Sequence, residues 1–373
     1  MRKSNFSYWE LKHWFQNVDF TIIGSGIVGL NCALQLKHNY PNASILIIEK
    51  GLLPQGASTK NAGFACFGSV SELIEDLKNS TENEVLEVLK MRIDGLIQLR
   101  QLLGDKGIGY QEFGGYELFL SDDDNYKNCL DKIPYLNDLL NSILPTSPFS
   151  LKENLYGFHG IEEKLIYNKY EGQIDTGLMM FNLLRKAHSN GIRILNNTKI
   201  IAFEEAMNHV VVDLGDFQFK TAKLLFATNG FSSTIIKENV VPARAQVLIT
   251  EPIPGLKIKG TFHIDQGYYY FRNVGNRVLF GGARNLDFEG ETTSEFGISD
   301  IIQNRLEELL DTVILPDNNY EVCHRWSGIM GVGPRKYPIV KQISENVYCG
   351  IRLSGMGVAI GSTIGKSLAN LTL

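Results

Sequence analysis

Three patterns predict an α/β fold in which a Rossmann-like domain is interleaved with a second, mainly antiparallel β (α+β) domain. A short apolar strand, a glycine turn and a helix stand near the start. Signals of the same strand and helix kind return after residue 151 and again over the last fifty residues. Between the returns lies a block of aromatic and β-branched strands. The 373 residues, 44% hydrophobic and 21% charged, can bury a large core and exceed what one compact domain usually holds.

The first strand, Phe20 to Ile23, leads through "GSG" into a helix whose Leu30, Ala33, Leu34 and Leu36 recur at helical spacing. "ASILIIEK" is the second strand, and its lack of alternation marks burial on both faces. A turn of small residues, "GASTKNAGFACFGS" (56–69), is followed by the helices "SELIEDLKN" and "ENEVLEVLKMRIDGLIQLRQLLG", then the strand "GGYELFLSDDDN". "DTGLMMFNLLRKAHSN" reads as a helix capped by Asp175 and stopped at Gly191. "IRILNNTKIIAF", "HVVVDL" and "FQFKTAKLLFATNG" follow as strands. From about 240 to 323 come "ARAQVLITEPI", "GYYYFRN", "NRVLFGGARN" and the helix "SDIIQNRLEELLDTVI". "NVYCGIRLSGMGVAIGSTIGKSLANL" closes with a strand, a turn and a helix. The first domain is expected in 1–80, 151–238 and 324–373, and the second in 81–150 and 239–323.

The net charge of −5 is spread without a basic block, which argues against a nucleic-acid partner. Five scattered cysteines without CxxC argue against a disulfide framework or a metal site and for a reducing compartment, each being a small buried apolar residue. No uninterrupted apolar run suits export or membrane spanning, so a cytoplasmic protein is expected. The aromatic "MRKSNFSYWELKHWFQ" is expected to dock on the protein's own domain rather than on a membrane surface.

Gly24, Gly26 and Gly29 form GxGxxG after a strand and at a helix start, with Ile27 and Val28 opening the helix. Glu49 then ends the second strand 20 residues past Gly29. The first glycine makes the turn, the second admits a pyrophosphate, the third lets helix and strand pack, and the helix N-terminus meets the phosphate charge. Glu49 suits the hydroxyls of an adenosine ribose and would repel a 2′-phosphate. An NAD enzyme would place a second mononucleotide-binding half soon after Glu49. Here a turn of small residues stands instead, which favours FAD.

"TIIGSGIVGLNCALQL…IIEKG…GASTKNAGF", "EGQIDTGLMMFNLLRKAHSNGIRI", "LLFATNG", "YYYFRNVGNRVLFGGAR", "RWSGIMG" and "SGMGVAIGSTIG", in this order, resemble the D-amino-acid-oxidase-like superfamily of FAD-dependent oxidoreductases. Glycine oxidase, sarcosine oxidase and gamma-glutamylputrescine oxidase are of this type, and the resemblance covers the chain from about residue 18. It implies a Rossmann-like FAD-binding domain and an antiparallel substrate domain. It also implies non-covalent FAD, since no Cys or His has a flavin-linking context.

By this resemblance the segment after the second strand runs beneath the pyrophosphate and the flavin. Lys50, Ser58 and Thr59 would meet the cofactor's polar parts, while Asn61, Ala62 and Gly63 stay small beside the ring. Lys60 would tune reduced-flavin charge or simply sit on a phosphate. Ile200, the turn Thr228, Asn229 and Gly230, and Trp326 are further expected cofactor neighbours. So are Arg352, Gly355, Met356, Gly357 and Val358, where a helix N-terminus would favour negative charge on the flavin. Tyr268, Tyr270 and Arg272 share one strand face by alternation and would shape the pocket and clamp a carboxylate or, if the opposite face points inward, dress a solvent side. Arg352 stands where many relatives have glycine and Met356 where many have histidine, and Gly333, Pro334 and Arg335 break another family pattern. Arg352 is a substrate anchor or a structural ion pair, and His324 a pocket base or an ordinary surface or core residue. "GSTIGKS" lacks P-loop spacing, with three residues rather than four between its glycines.

The implied reaction oxidises the C–N bond of a small amine or amino acid to an imine by hydride transfer to flavin N5, with oxygen or another acceptor taking the electrons. Lys60, Tyr268, Tyr270, Arg272 and Arg352 are the expected participants. A 2-hydroxy-acid dehydrogenase, an enzyme acting on modified tRNA and a flavin-bound protein without turnover are the alternatives. The acidic charge argues against the tRNA substrate.

Overall fold

The computed structural model describes residues 5–373. Residues 1–4, part of the aromatic N-terminal segment, lie outside them.

The first sheet is built on Val18–Ile23, whose neighbours Ile45–Ile48 and Gln218–Phe226 run parallel to it. Arg193–Leu195 and Val347–Ile351 extend it in parallel on either side, and Ile339–Ser344 closes one edge antiparallel. Two antiparallel strands, Ala202–Ala206 and His209–Asp213, hang from Gln218–Phe226. The unbroken apolar run in Ile45–Ile48 has the expected cause, because both faces are covered. Ile45 and Ile47 pack with Ile22 and Leu225 on one face, and Leu46 and Ile48 with Ile23 and Phe226 on the other.

Helices Ile27–Asn39, Thr176–Ser189 and Gly357–Asn370 cover the first face through Leu30, Leu183 and Ile364. The helix Glu82–Leu103 joins them, placing Leu96 and Leu99 in that core. It therefore packs with the first sheet, although 81–150 was expected in the other domain. On the opposite face Phe15 packs beside Phe217 and Phe219, with ring centroids 4.7 and 5.3 Å away, while Tyr8 and Trp9 stay exposed.

The second sheet runs, in spatial order, Val322–Val332, Val241–Thr250, Arg277–Gly282, Tyr269–Val274, Thr261–Ile264, Gly115–Leu118, Lys164–Asn168 and Phe149–Glu153. Every pairing is antiparallel except Thr261–Ile264 with Gly115–Leu118. The strands at 149–168 and 322–332 thus carry this sheet past the expected boundaries. Phe262, Phe271 and Phe280 point to one face and pack with Ile302 and Leu306 of the helix Asp300–Leu309. The other face is turned to residues 60–71.

All five cysteines are free. Cys323 is exposed, against the expectation that each is buried, because it lies near the end of an outer strand. Among the described residues no helix is long and apolar enough to cross a membrane, and no group of three or more His, Cys, Asp or Glu side chains is placed to hold a metal ion.

Candidate functional site

The glycine turn is tight for the reasons its sequence gives. Gly24 has φ +103°, and a Cβ on Gly29 would lie 1.9 Å from the Gly24 carbonyl oxygen. Glu49, 7% exposed, accepts hydrogen bonds from Ser25 N (3.0 Å) and Ser25 Oγ (2.8 Å) at Oε2, and from Gly51 N (3.0 Å) at Oε1. Each carboxylate oxygen keeps acceptor capacity, so the group ties turn to strand and can still receive ribose hydroxyls. Ile200 is buried nearby, on the segment whose Thr198 N donates to Glu49 O (2.9 Å), whereas Lys50 is exposed.

The small-residue segment folds into a short helix, Ala57–Lys60, laid against the glycine turn. Ser58 Oγ accepts from Ile27 N (2.9 Å), which leaves its own proton free for a phosphate oxygen. Thr59 differs from expectation. Its hydroxyl proton is spent on Pro54 O (2.6 Å) and Gly56 O (3.2 Å), so it shapes the segment and has none left for phosphate. Asn61 is also spent internally, accepting from Gly63 N (2.9 Å) and Thr176 Oγ1 (2.8 Å). Ala62 and Gly63 are buried, and Gly63 at φ +75° has no room for a Cβ. Lys60 is held by its backbone, where Trp326 Nε1 donates to its carbonyl (2.9 Å) and Gly328 leaves space for its Cβ. Its Nζ lies 5.9 Å from the Phe296 ring centroid, and no ion pair reaches it among the described residues.

A third strand end joins these two. Thr228 begins a 3₁₀ turn, Gly230 packs against Met330 O, and Asn229 Oδ1 accepts from both Arg352 N and Leu353 N (3.1 Å each). Arg352, Ser354 and Gly355 all have positive φ (+64°, +49° and +84°), so the chain turns sharply into Met356 and the helix Gly357–Asn370. No side chain caps that helix, leaving the first N–H groups at Gly357 and Val358 unclaimed by a capping side chain.

The second sheet presents one cross-strand row toward the segment. Trp326, Val247, Gly281, Tyr270, His263 and Glu117 follow one another by direct pairing. Tyr270 lies over Gly281, where a Cβ would come 2.7 Å from its ring, and meets Phe64 edge-on at 5.6 Å. Burial pushes its phenol up to about 12. Tyr268 precedes the strand, which starts at Tyr269, and is exposed beside Phe288 with centroids 6.0 Å apart.

The two expected carboxylate clamps are corrected. Arg272, 6% exposed, donates Nε to Ala62 O, a second N–H to Ile174 O (2.9 Å) and a third to Asn273 O (3.3 Å). Burial lowers it to about 10. Arg352 directs its guanidinium to Tyr337 O (2.9 and 3.0 Å) and Asn239 O (3.2 Å), and it forms no structural ion pair either. Both arginines hold buried or folded-back main chain through its carbonyls. Arg335 pairs with Glu84 (3.3 Å), and His324 is exposed, stacking on Trp326 at 5.7 Å.

Residues 19–371 match the DAO family, described as FAD dependent oxidoreductase. The chain belongs to this family. It is 19% identical over 376 residues to the probable oxidoreductase OrdL of Haemophilus influenzae, covering 96% of this chain and 83% of the relative. Among solved structures it resembles L-proline dehydrogenase from P. horikoshii (TM-score 0.76, 18% identity, 95% of this chain and 93% of that one). It resembles equally iminodiacetate oxidase from Chelativorans sp. (TM-score 0.76, 18% identity, 95% of each chain). The DAO fold and an FAD-dependent enzyme are thereby shown, as the sequence resemblance implied.

The residues fit FAD on the structure's own terms. The glycine turn, the free proton of Ser58 and the uncapped N–H groups at the Gly357 helix N-terminus would donate to the polar atoms of FAD, and the buried Ala62 and Gly63 keep the segment small. Sequence reading missed Arg284, the second residue after the second-sheet strand Arg277–Gly282. Its half-buried guanidinium lies 4.7 Å over the Phe288 ring, and no carboxylate is within ion-pair distance among the described residues. It also missed His263, although alternation in "TFHI" distinguishes His263 from the core-facing Phe262.

Proposed function

We propose that this DAO family enzyme oxidises the C–N bond of a small amino acid or other carboxylate-bearing amine to an imine, which water hydrolyses. The observation that carries the reading is the pair Arg284 and Lys60. Neither cation has a carboxylate within ion-pair distance among the described residues; Arg284 follows the strand that pairs with Tyr270's, and Lys60 is on the segment that carries Phe64. A desolvated cation seeks an anion, and a substrate carboxylate supplies one. Burial lowers the Arg284 guanidinium, as expected of a cation waiting for a counter-charge. The structural neighbours act, by their names, on proline and iminodiacetate, each an amine bearing carboxylate.

FAD bound here would supply the acceptor for the α-hydrogen and its electron pair. The chain's residues do the rest. Arg284 and Lys60 hold the carboxylate, Phe64 and Tyr270 keep water from the reacting carbon, and Trp326 fixes Lys60 through its backbone. The Gly357 helix N-terminus favours the negative charge left by the transfer. A 2-hydroxy acid would satisfy the same cations and is the competing substrate class.

Turnover with a panel of amino acids, amines and hydroxy acids tests this, with ammonia or released amine assayed beside the keto product. Amino acids are expected to give both products. Turnover of hydroxy acids alone sinks the proposal.

A further inference from the structure

Beyond Phe64 and Tyr270 lies a buried group of ionisable side chains that the reaction above leaves unused. Glu171, 2% exposed, accepts at Oε1 from Phe67 N (3.2 Å) and Gly68 N (3.4 Å). Glu117, 3% exposed, accepts from Ser69 Oγ (2.9 Å) and from the Ser71 hydroxyl. His263, 7% exposed, pairs with Tyr270 on one side and Glu117 on the other. Its ring meets Phe64 edge-on at 5.2 Å. His263 Nε2 is buried without a hydrogen-bond partner, 3.8 Å from Glu171 Oε2, and Asn168 Nδ2 is likewise buried and unpartnered. These side chains line a cavity of about 10 Å³, the room one water needs.

An acid cluster alone would be a structural feature. Two orphaned nitrogens on residues that line the same water-sized cavity are not explained by packing, since each costs about 1–3 kcal/mol if left unpaired. One water there would answer both, accepting from Asn168, bonding His263 Nε2 and donating to Glu171.

We infer that His263, one water in this cavity and Glu171 form a relay that accepts the proton a substrate ammonium must lose before its C–N bond is oxidised. This rests on the amine reading above. The amine needs its lone pair to push the α-hydrogen out with its electrons. In the relay step the ammonium N–H bond breaks and its electron pair stays on nitrogen. One ring nitrogen of His263 gains a proton, Nε2 passes one through the water, and the Glu171 carboxylate ends as a neutral carboxyl. No electron changes hands.

The surroundings suit an acceptor that works on the alkaline side. Burial raises Glu171 to about 8 and Glu117 to about 7, and lowers His263, so the imidazole is neutral. Other groups facing the site are Cys66, whose thiol burial pushes up, Glu72, Arg92 and, more distantly, Tyr110. Glu72 is held low despite burial by Lys336, the Ser69 N–H and Arg92. Arg92 donates to Phe67 O (2.7 Å) and does not neutralise Glu171 directly.

The test uses Glu171→Gln and His263→Gln in the FAD-loaded enzyme, with two readouts. Glutamine at 171 keeps an acceptor for Phe67 N and Gly68 N. In anaerobic stopped-flow with an amino acid that reduces the wild type, wild-type flavin reduction is expected to rise as pH passes about 8. Either variant is expected to lose that rise and to be roughly 100-fold slower on the alkaline side. The second readout needs no substrate. A carboxyl raised in the folded state favours folding below its ordinary value, and that stability is lost as pH rises from 4.5 to about 8. The wild-type unfolding midpoint should therefore fall over that window, and less so in Glu171→Gln. A flattened midpoint with an unchanged reduction profile overturns the relay, as does an unflattened midpoint. If no amine reduces the wild-type flavin, the functional reading fails and the relay with it, while the midpoint still shows whether Glu171 titrates as described.

Discussion

At the residue scale, the arginines decide most. Arg272 was legible as sharing a strand face with Tyr270, because alternation sets that, though not which face is the inner one. Its use was not, because hydrogen-bond acceptors 98 and 210 residues away in sequence, Ile174 O and Ala62 O, leave no local signal. Arg284→Ala is expected to raise KM for a carboxylate-bearing substrate by about tenfold to a hundredfold, as loss of a charge-assisted pair implies, and to change kcat less. The matched amine without a carboxylate should show no such change. A uniform loss for both substrates would place Arg284 in the structure rather than in binding. Arg272→Lys, by contrast, cannot reproduce the planar fork that reaches three carbonyls, and thermal unfolding should show a destabilisation of roughly 2–3 kcal/mol.

Elements were read well where periodicity is strong and less well where a turn needs three dimensions. The helix capped by Asp175 runs Thr176–Ser189, and its cap accepts from Leu178 N at 2.8 Å. "IRILNNTKIIAF" instead divides into Arg193–Leu195 and Ala202–Ala206, because Asn197 at φ +53° breaks the extended chain. "GSTIGKS" proved to be close-packed helix. A Cβ on Gly361 would lie 2.7 Å from Ile27, and one on Gly365 2.6 Å from Val28 O. Gly365→Val is therefore expected to force the last helix off the glycine-turn helix, costing about 1–3 kcal/mol by denaturant unfolding and weakening FAD retention. If FAD affinity is unchanged, the packing of these two helices does not position the cofactor.

For the whole molecule, two sheets draw on interleaved stretches of the chain. Helix Glu82–Leu103 follows its apolar face onto the first sheet, and Gly95 lets it approach Ala359 O. Strands 149–168 and 322–332 complete the roof sheet, a non-local pairing that no local pattern marks. The result brings three strand ends, a helix N-terminus and an aromatic sheet face to the one segment 56–69. Glu49→Gln should weaken FAD binding by about tenfold, since charge-assisted bonds to ribose hydroxyls become neutral ones. Flavin released on dilution, read by its fluorescence, measures this, and unaltered release would remove Glu49 from the cofactor's contacts.

The most direct test of the central claim is the flavin absorbance of the purified enzyme, followed anaerobically as matched pairs of amino and hydroxy acids with the same carbon skeleton are added. The account predicts bleaching by the amino member of a pair and not by the hydroxy member. Bleaching by the hydroxy acid alone would contradict it.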